Sequence, residues 1–167
     1  ILTPQGRLKD GSVLISDGKI LEVTNSDLAV IGAKVVDAKG MYIVPGFVAM
    51  NVHGGGGHDF KECTEEAFQS AIAAHMKHGA TTLFPTLSSS SKDSICKAVS
   101  ICEKLMAEKD GPVLGLHVEG PYLNAKMAGS LYEVKDPDKD EYMSILESTN
   151  CIKRWDSSPE LPGAHDF

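Results

Sequence analysis

The chain has 167 residues, 42% of them apolar and 23% charged, which gives enough material for a core of ordinary size. Its net charge of -7 argues against a general binder of nucleic acid or of anionic membranes. No apolar run approaches the roughly 20 residues that a membrane-crossing helix needs, and no signal-peptide pattern opens the chain. The sequence starts Ile-Leu-Thr without Met, so a missing true N-terminus is an open expectation.

The first segment reads as β structure. Residues 11–23, GSVLISDGKILEV, are two apolar runs around Asp17-Gly18, a dipeptide suited to a two-residue hairpin turn with positive φ at both places. A further strand is expected at Lys34–Val36, a turn at Lys39-Gly40, and an extended run from Met41 to Val44. These strands are few and short, and they call for partner strands from elsewhere.

After Pro45 the pattern becomes strand, helix, strand, helix. Phe47–His53 is expected as a strand that ends in the four glycines Gly54–Gly57. Thr64–His78 reads as a helix, with Phe68, Ile72 and Met76 at intervals of four, Thr64 as cap and Gly79 as stop. Ala80–Leu87 is the next strand. Ser91–Lys109 is the next helix, its apolar stripe running through Ile95, Ala98, Val99, Cys102, Leu105 and Met106. Val113–Val118 is a third strand, Asp138–Ser148 a third helix, and Cys151–Trp155 a fourth strand. Apolar strands alternating with helices predict α/β architecture with a parallel sheet. An open doubly wound sheet and part of a (β/α)8 barrel both satisfy the pattern. Three to four βα units are too few to close an eight-stranded barrel, which takes ~200 residues or more.

Parallel α/β folds carry their sites at the carboxyl ends of the strands. His53 ends the first of these strands, Thr86 and its serine neighbours the second, and Glu119 the third. A carboxylate and an imidazole from neighbouring strand ends suit a divalent transition metal. Plainer readings stand beside this one. His53 before glycines also suits a hydrogen-bonded structural histidine, and Gly54–Gly57 suits either a phosphate cradle or a tight turn. His117 faces either the site or the core. His58, His75, His78 and His165 read as surface or packing residues, and Asp59 as a partner for His58 or His53. The cysteines Cys63, Cys96, Cys102 and Cys151 contain no C-x-x-C pair, and read as reduced, mostly buried residues of a cytosolic protein.

Four stretches in this order, PGFVAMNVHGGGGHDF, HMKHGATTLFPTL, LGLHVEGPYLN and SPELPGA, resemble the N-acetylglucosamine-6-phosphate deacetylases of the amidohydrolase superfamily. The resemblance runs over nearly the whole chain, and LHVEGPYLN is its most specific piece. It implies a (β/α)8 barrel preceded by a small β-sandwich segment, here residues 1–44 followed by residues 45–167 as the first part of the barrel. It implies a divalent metal, zinc or iron, held by Glu119 with His53, and hydrolysis of the acetamide of N-acetylglucosamine 6-phosphate to glucosamine 6-phosphate and acetate. Asn51 stands at the first place of the family's His-x-His, which points to one metal rather than two and leaves open a contact of His53 to water or substrate instead of metal.

Ser130 falls in the loop that reaches the substrate in the family. Leu131 stands where a histidine is frequent, and the loop from Leu131 to Lys135 is short. The resemblance also implies that two metal histidines and the general base lie beyond Phe167. The chain is then an N-terminal half with exposed strand edges, inactive alone. A homodimer, a cytoplasmic location and a small amino-sugar phosphate as the partner follow from the same source, with no nucleic acid and no membrane. Another metal-dependent amidohydrolase, or a degenerate non-catalytic binding module, are the alternatives.

Overall fold

The structure is a computed structural model that describes residues 1–131 and 133–167; Tyr132, inside the loop read as short, lies outside the described residues. Two compact units divide the chain, Ile1–Gly46 and Phe47–Phe167.

The first unit contains two hairpins. Leu2–Thr3 (β1) pairs with Gly6–Arg7 (β2), and Ser12–Ser16 (β3) pairs with Lys19–Thr24 (β4), both antiparallel. Asp17 and Gly18 have φ of 50° and 72°, the conformation that a two-residue loop between Ser16 and Lys19 demands. Lys39 and Gly40 form the second expected turn, with φ of 50° and 77°. The strand expected at Lys34–Val36 is absent, and Met41–Val44 is likewise outside any strand. Val35 and Val36 have apolar, β-branched side chains but lack a ladder partner, and they stay 84% and 80% exposed. Local propensity does not make a strand where no neighbour takes up the backbone groups.

The second unit carries the parallel sheet. Phe47–Val52 (β5) leads into a small hairpin of Gly54–Gly55 (β6) and His58–Asp59 (β7). Gly56 and Gly57 turn that hairpin with φ of 60° and 87°. A Cβ on Gly54 would stand 2.1 Å from the His58 carbonyl oxygen, so the glycine run is needed for close strand approach. Asp59 then caps the short turn Phe60–Glu62, accepting from the Lys61 amide, while Glu62 accepts from the Asp59 amide. Glu65–Lys77 (α1) starts at the Thr64 cap, and Gly79 at φ 93° lets the chain leave it. Ala80–Ser88 (β8), Lys92–Met106 (α2, capped by Ser91), Leu116–Glu119 (β9), Lys139–Leu146 (α3, capped by Asp138) and Ile152–Asp156 (β10) follow.

The four long strands pair parallel in the order β5-β8-β9-β10. Spatial order follows chain order, without the reversal that marks a doubly wound sheet. The three helices lie side by side. Lys104 of α2 meets Glu65 of α1, and Lys92 of α2 donates to the Ser144 hydroxyl of α3 at 2.7 Å. Helices and sheet share one core that includes Phe68, Ile72, Leu83, Leu87, Ile95, Cys102, Leu116, Val118 and Ile145. The third strand is shorter than its sequence suggests: Val113 reaches Leu83 by a single bridge, and pairing with β8 resumes only at His117. Among the described residues, the outer edges of β5 and β10 pair with no strand, and Phe47, Val48 and Met50 of β5 stay more than half exposed.

The core sets the stability of this unit. Ile95 and Leu87 are fully buried. Replacing either with Ala removes three methyl(ene) groups from a closed space, and the unfolding free energy of the unit, read by urea titration, falls by about 2–5 kcal/mol. Thr64→Ala, which removes only the cap on α1, costs about 1 kcal/mol in the same measurement.

Candidate metal and substrate site

The pleat sorts the side chains of each strand to two faces. Leu87, Val118 and Trp155 lie at one level across β8, β9 and β10 and pack into or against the core with the helices. Their neighbours in sequence point the other way. Thr86, His117 and Arg154 make one row across the sheet, and Ser88, Glu119 and Asp156 make the next. Polar groups thus gather at the carboxyl ends of the strands, on the face away from the helices.

His53, just past β5, brings Nε2 to 3.3 Å from Glu119 Oε2. The contact is close but not aligned as a hydrogen bond. Two donors on a tetrahedral zinc, each about 2.0–2.2 Å from the metal, stand roughly 3.4 Å from one another. The observed separation therefore fits two places of one metal shell. Among the described residues no group of three or more His, Cys, Asp or Glu could hold a metal ion. His53 and Glu119 supply a part of a shell, and further donors would complete it.

The backbone around Glu119 is tied down. Its carbonyl accepts from the Ser89 amide at 2.7 Å, and Ser89 Oγ donates to the Glu133 carbonyl at 2.6 Å. Lys61 Nζ donates to the Ser89 carbonyl at 3.1 Å. Ser89 holds φ 24°, a costly conformation for a residue with a Cβ, where its amide meets the Glu119 carbonyl. The Gly120 amide donates to the Asp156 carbonyl at 3.1 Å, and Trp155 Nε1 donates to the Gly120 carbonyl at 2.8 Å.

A polar relay runs beneath the site and crosses all four strands. The Val52 amide donates to Thr86 Oγ1 at 2.9 Å, and Thr86 Oγ1 lies 3.0 Å from His117 Nδ1. His117 is fully buried, and its Nε2 stands 3.1 Å from Asp156 Oδ2, off the ring N–H axis. Arg154 grips Asp156 with two hydrogen bonds of 2.9 Å. Burial pushes His117 below the ordinary histidine value, against a weaker pull from Asp156. Burial alone would raise Asp156, but the Arg154 hydrogen bonds and His117 outweigh it and leave Asp156 below the usual carboxylate range. A neutral His117 beside an ionised Asp156 carries its proton on Nε2 and accepts the Thr86 hydroxyl proton at Nδ1. His117 therefore sits on the site face and is a partnered interior histidine at once.

Above the relay lies a pocket of about 230 Å³ lined by residues that include Glu119, Leu123, Met127, Leu131, Asp156 and Ser158. Of the two loop residues expected to reach substrate, Leu131 lines this pocket, whereas Ser130 is exposed and does not line it. Asn51 is exposed on β5. His58 pairs with Glu62 at 3.1 Å, and His75 Nε2 is 2.9 Å from the Gly54 carbonyl, so neither joins the site. Sequence reading missed Arg154 and Asp156. Their spacing of two, at the end of a strand placed like that of His117 and Glu119, was the signal.

No family model matches the chain. Its relatives include the N-acetylglucosamine-6-phosphate deacetylase of Lysinibacillus sphaericus, 27% identical over 97% of this chain and 43% of the relative. That of Haemophilus influenzae is 31% identical over 77% of this chain and 34% of the relative. The deacetylase structure from Pasteurella multocida, at 22% identity, superposes with a TM-score of 0.85 over 95% of this chain and 42% of its own, which shows the fold. A variant of the Mycobacterium smegmatis enzyme in complex with N-acetyl-D-glucosamine-6-phosphate gives 0.74 at 29% identity, over 92% and 40%. The chain thus spans about two-fifths of the length of the proteins it matches, and its relatives and structural neighbours are N-acetylglucosamine-6-phosphate deacetylases.

Proposed function

We propose that this chain forms the first part of a metal-dependent deacetylase that hydrolyses the acetamide of N-acetylglucosamine 6-phosphate to glucosamine 6-phosphate and acetate. The observation that carries the reading is the 3.3 Å approach of His53 Nε2, just past β5, to Glu119 Oε2, at the end of β9 across the intervening β8, in a chain whose relatives bear that activity. On this reading β5, β8, β9 and β10 form the first arc of a (β/α)8 barrel. Strand order equal to chain order and helices side by side support the arc. The hairpins of residues 1–44 belong to a small β-sandwich.

Glu119 and His53 would hold zinc or iron, together with donors from beyond this chain. The chemistry such an ion would supply, when bound, is Lewis acidity toward a water and the acetyl carbonyl. Glu119 is the anchor, because its carboxylate is the one acid of the site without a cationic partner of its own. Asp156 is held ionised by Arg154, and a carboxylate so stabilised is a weak base. The family resemblance, rather than this geometry, implies a general base beyond Phe167. Leu131, Leu123 and Met127 line the pocket and would give the substrate an apolar wall. Under this reading the segment alone is inactive, the complete protein works as a homodimer in the cytoplasm, and its partner is the amino-sugar phosphate. No helix among the described residues is long and apolar enough to cross a membrane.

Assay of the full-length protein with added zinc or iron tests the reading. Glu119→Gln is expected to lower kcat/KM for the sugar phosphate by at least about 10³-fold, since several kcal/mol of transition-state stabilisation depends on that ligand. Unchanged deacetylation in the variant would remove Glu119 from the mechanism. Turnover of a cyclic amide or an N-acyl amino acid in place of the sugar phosphate would move the protein to another amidohydrolase activity.

Thr86→Val keeps the shape of the side chain and deletes the hydroxyl between Val52 and His117. It leaves a half-buried amide and a buried ring nitrogen without this partner, and stability measured in urea falls by about 1–3 kcal/mol. With His117 no longer fixed beside Asp156, kcat of the full-length enzyme drops roughly tenfold or more in the same assay.

A further inference from the structure

One hydroxyl holds the end of the strand that delivers His53. β5 pairs with β8 at Ala49 and Leu83, the register then shifts, and pairing returns at Val52 and Pro85. Pro85 has no N–H to give, so the ladder loses a donor where β5 ends. The Val52 amide donates to the side chain of Thr86 at 2.9 Å. On the other side, the His53 carbonyl accepts from the amide of the fully buried Phe60 at 2.9 Å. These two bonds bracket the residue that carries the imidazole.

Thr86 is itself fully buried and held from three sides. Its Oγ1 meets the Val52 amide, the Phe84 carbonyl at 3.2 Å and His117 Nδ1 at 3.0 Å. The amide can only donate and the carbonyl can only accept. The Phe84 contact stays within β8. The His117 contact reaches β9, and it turns the Val52 bond into a link from β5 across β8 to the strand of Glu119. The two ring nitrogens of His117 carry unequal weight. Nδ1 has a hydroxyl at hydrogen-bond distance, whereas Nε2 makes no aligned hydrogen bond and only stands 3.1 Å from Asp156 Oδ2.

We propose that Thr86 and His117 are positioning residues for the metal pair: the contact of the Thr86 hydroxyl with His117 Nδ1 seats Val52, and with it His53, at the 3.3 Å approach to Glu119. This role rests on the proposed metal site, and it gives neither residue a contact with substrate. Glu119 is fixed independently, because its carbonyl accepts from the Ser89 amide. His53 has a side chain 45% exposed, so packing does little to orient it, and its place depends on the backbone that Thr86 and Phe60 hold.

The experiment measures the zinc affinity of the full-length protein by competition with a chromogenic chelator, which needs no turnover of any substrate. Glu119→Gln is expected to weaken zinc binding and shows that the assay reads this site. Thr86→Val keeps the shape and loses the hydroxyl, and zinc binding is expected to weaken roughly 10–100-fold, whereas Thr86→Ser, which keeps the hydroxyl, stays within about threefold of the wild type. His117→Asn puts a carboxamide where Nδ1 stands and His117→Gln puts one where Nε2 stands, so the Asn variant is expected to bind zinc more tightly than the Gln variant. Wild-type affinity in Thr86→Val, with Glu119→Gln weakened, overturns the positioning role and leaves the metal site standing. Equal losses in Thr86→Val and Thr86→Ser also overturn it, since they mark general damage to the core. Should Thr86→Val fail to fold, the His117 pair decides, and a Gln variant that binds as tightly as the Asn variant overturns the role. Wild-type affinity in Glu119→Gln removes the metal site itself, and the positioning role with it.

Discussion

Side-chain alternation along a parallel strand is the constraint on which the candidate site rests. Leu87, Val118 and Trp155 must face the helix layer, and this sends Ser88, Glu119 and Asp156 to the opposite face at neighbouring levels. A slip of one residue in β9 would drive Glu119 into the core and set Val118 at the strand mouth. Several contacts hold the register against that slip. The core takes up Val118 and Leu116 completely, the Ser89 amide binds the Glu119 carbonyl, and the indole of Trp155 binds the Gly120 carbonyl. Packing on one face thereby positions chemistry on the other.

The charge balance of that face decides where a cation would settle. Glu119 and Asp156 are neighbours on adjacent strands, whose spacing of about 4.8 Å would leave two bare carboxylates in repulsion. Arg154 relieves this by taking both oxygens of Asp156. Glu119 keeps only His53, whose ring is uncharged as a metal ligand. Asp156 in turn gives the buried Nε2 of His117 a carboxylate 3.1 Å away, where water has no access. Removing Arg154 from this set would loosen two things together, the ionised state of Asp156 and the seat of His117.

Much of this was legible in the sequence because local signals and packing agreed. Thr64 caps the helix it was read to cap, Asp17-Gly18 turns the hairpin it was read to turn, and the four parallel strands overlap the apolar runs read as strands, the third starting later than expected. Glu119 was read as a candidate site residue because a carboxylate at the end of an apolar strand has few other uses, and the structure sets it 3.3 Å from His53. What escaped depends on partners distant in sequence. Val35 and Val36 carry strand propensity but no ladder, and Asp156 matters only through its register with Glu119. Ser130 follows from the family resemblance rather than from any local signal, and its exposure keeps it off the pocket wall. Cys96 was read with the mostly buried cysteines but lies on the solvent side of α2, because the apolar stripe passes through Cys102 instead.

Asn51 and His53 show why a two-residue spacing alone does not fix a metal site. The pairing of β5 with β8 shifts register between Ala49 and Val52, so period-two counting fails at the residues in question. His53 reaches Glu119 from beyond the end of the strand, whereas Asn51 stays exposed within it. An amide oxygen is uncharged and a weaker ligand for a divalent ion than a carboxylate. A second ion close to the first would need added negative charge to offset repulsion between the two. Asp156, the nearby acid, is already neutralised by Arg154. Under the proposed reading the site therefore has the charge for one cation, and the departure at Asn51 is compatible with hydrolysis because the carboxylate that anchors that cation lies on a different strand.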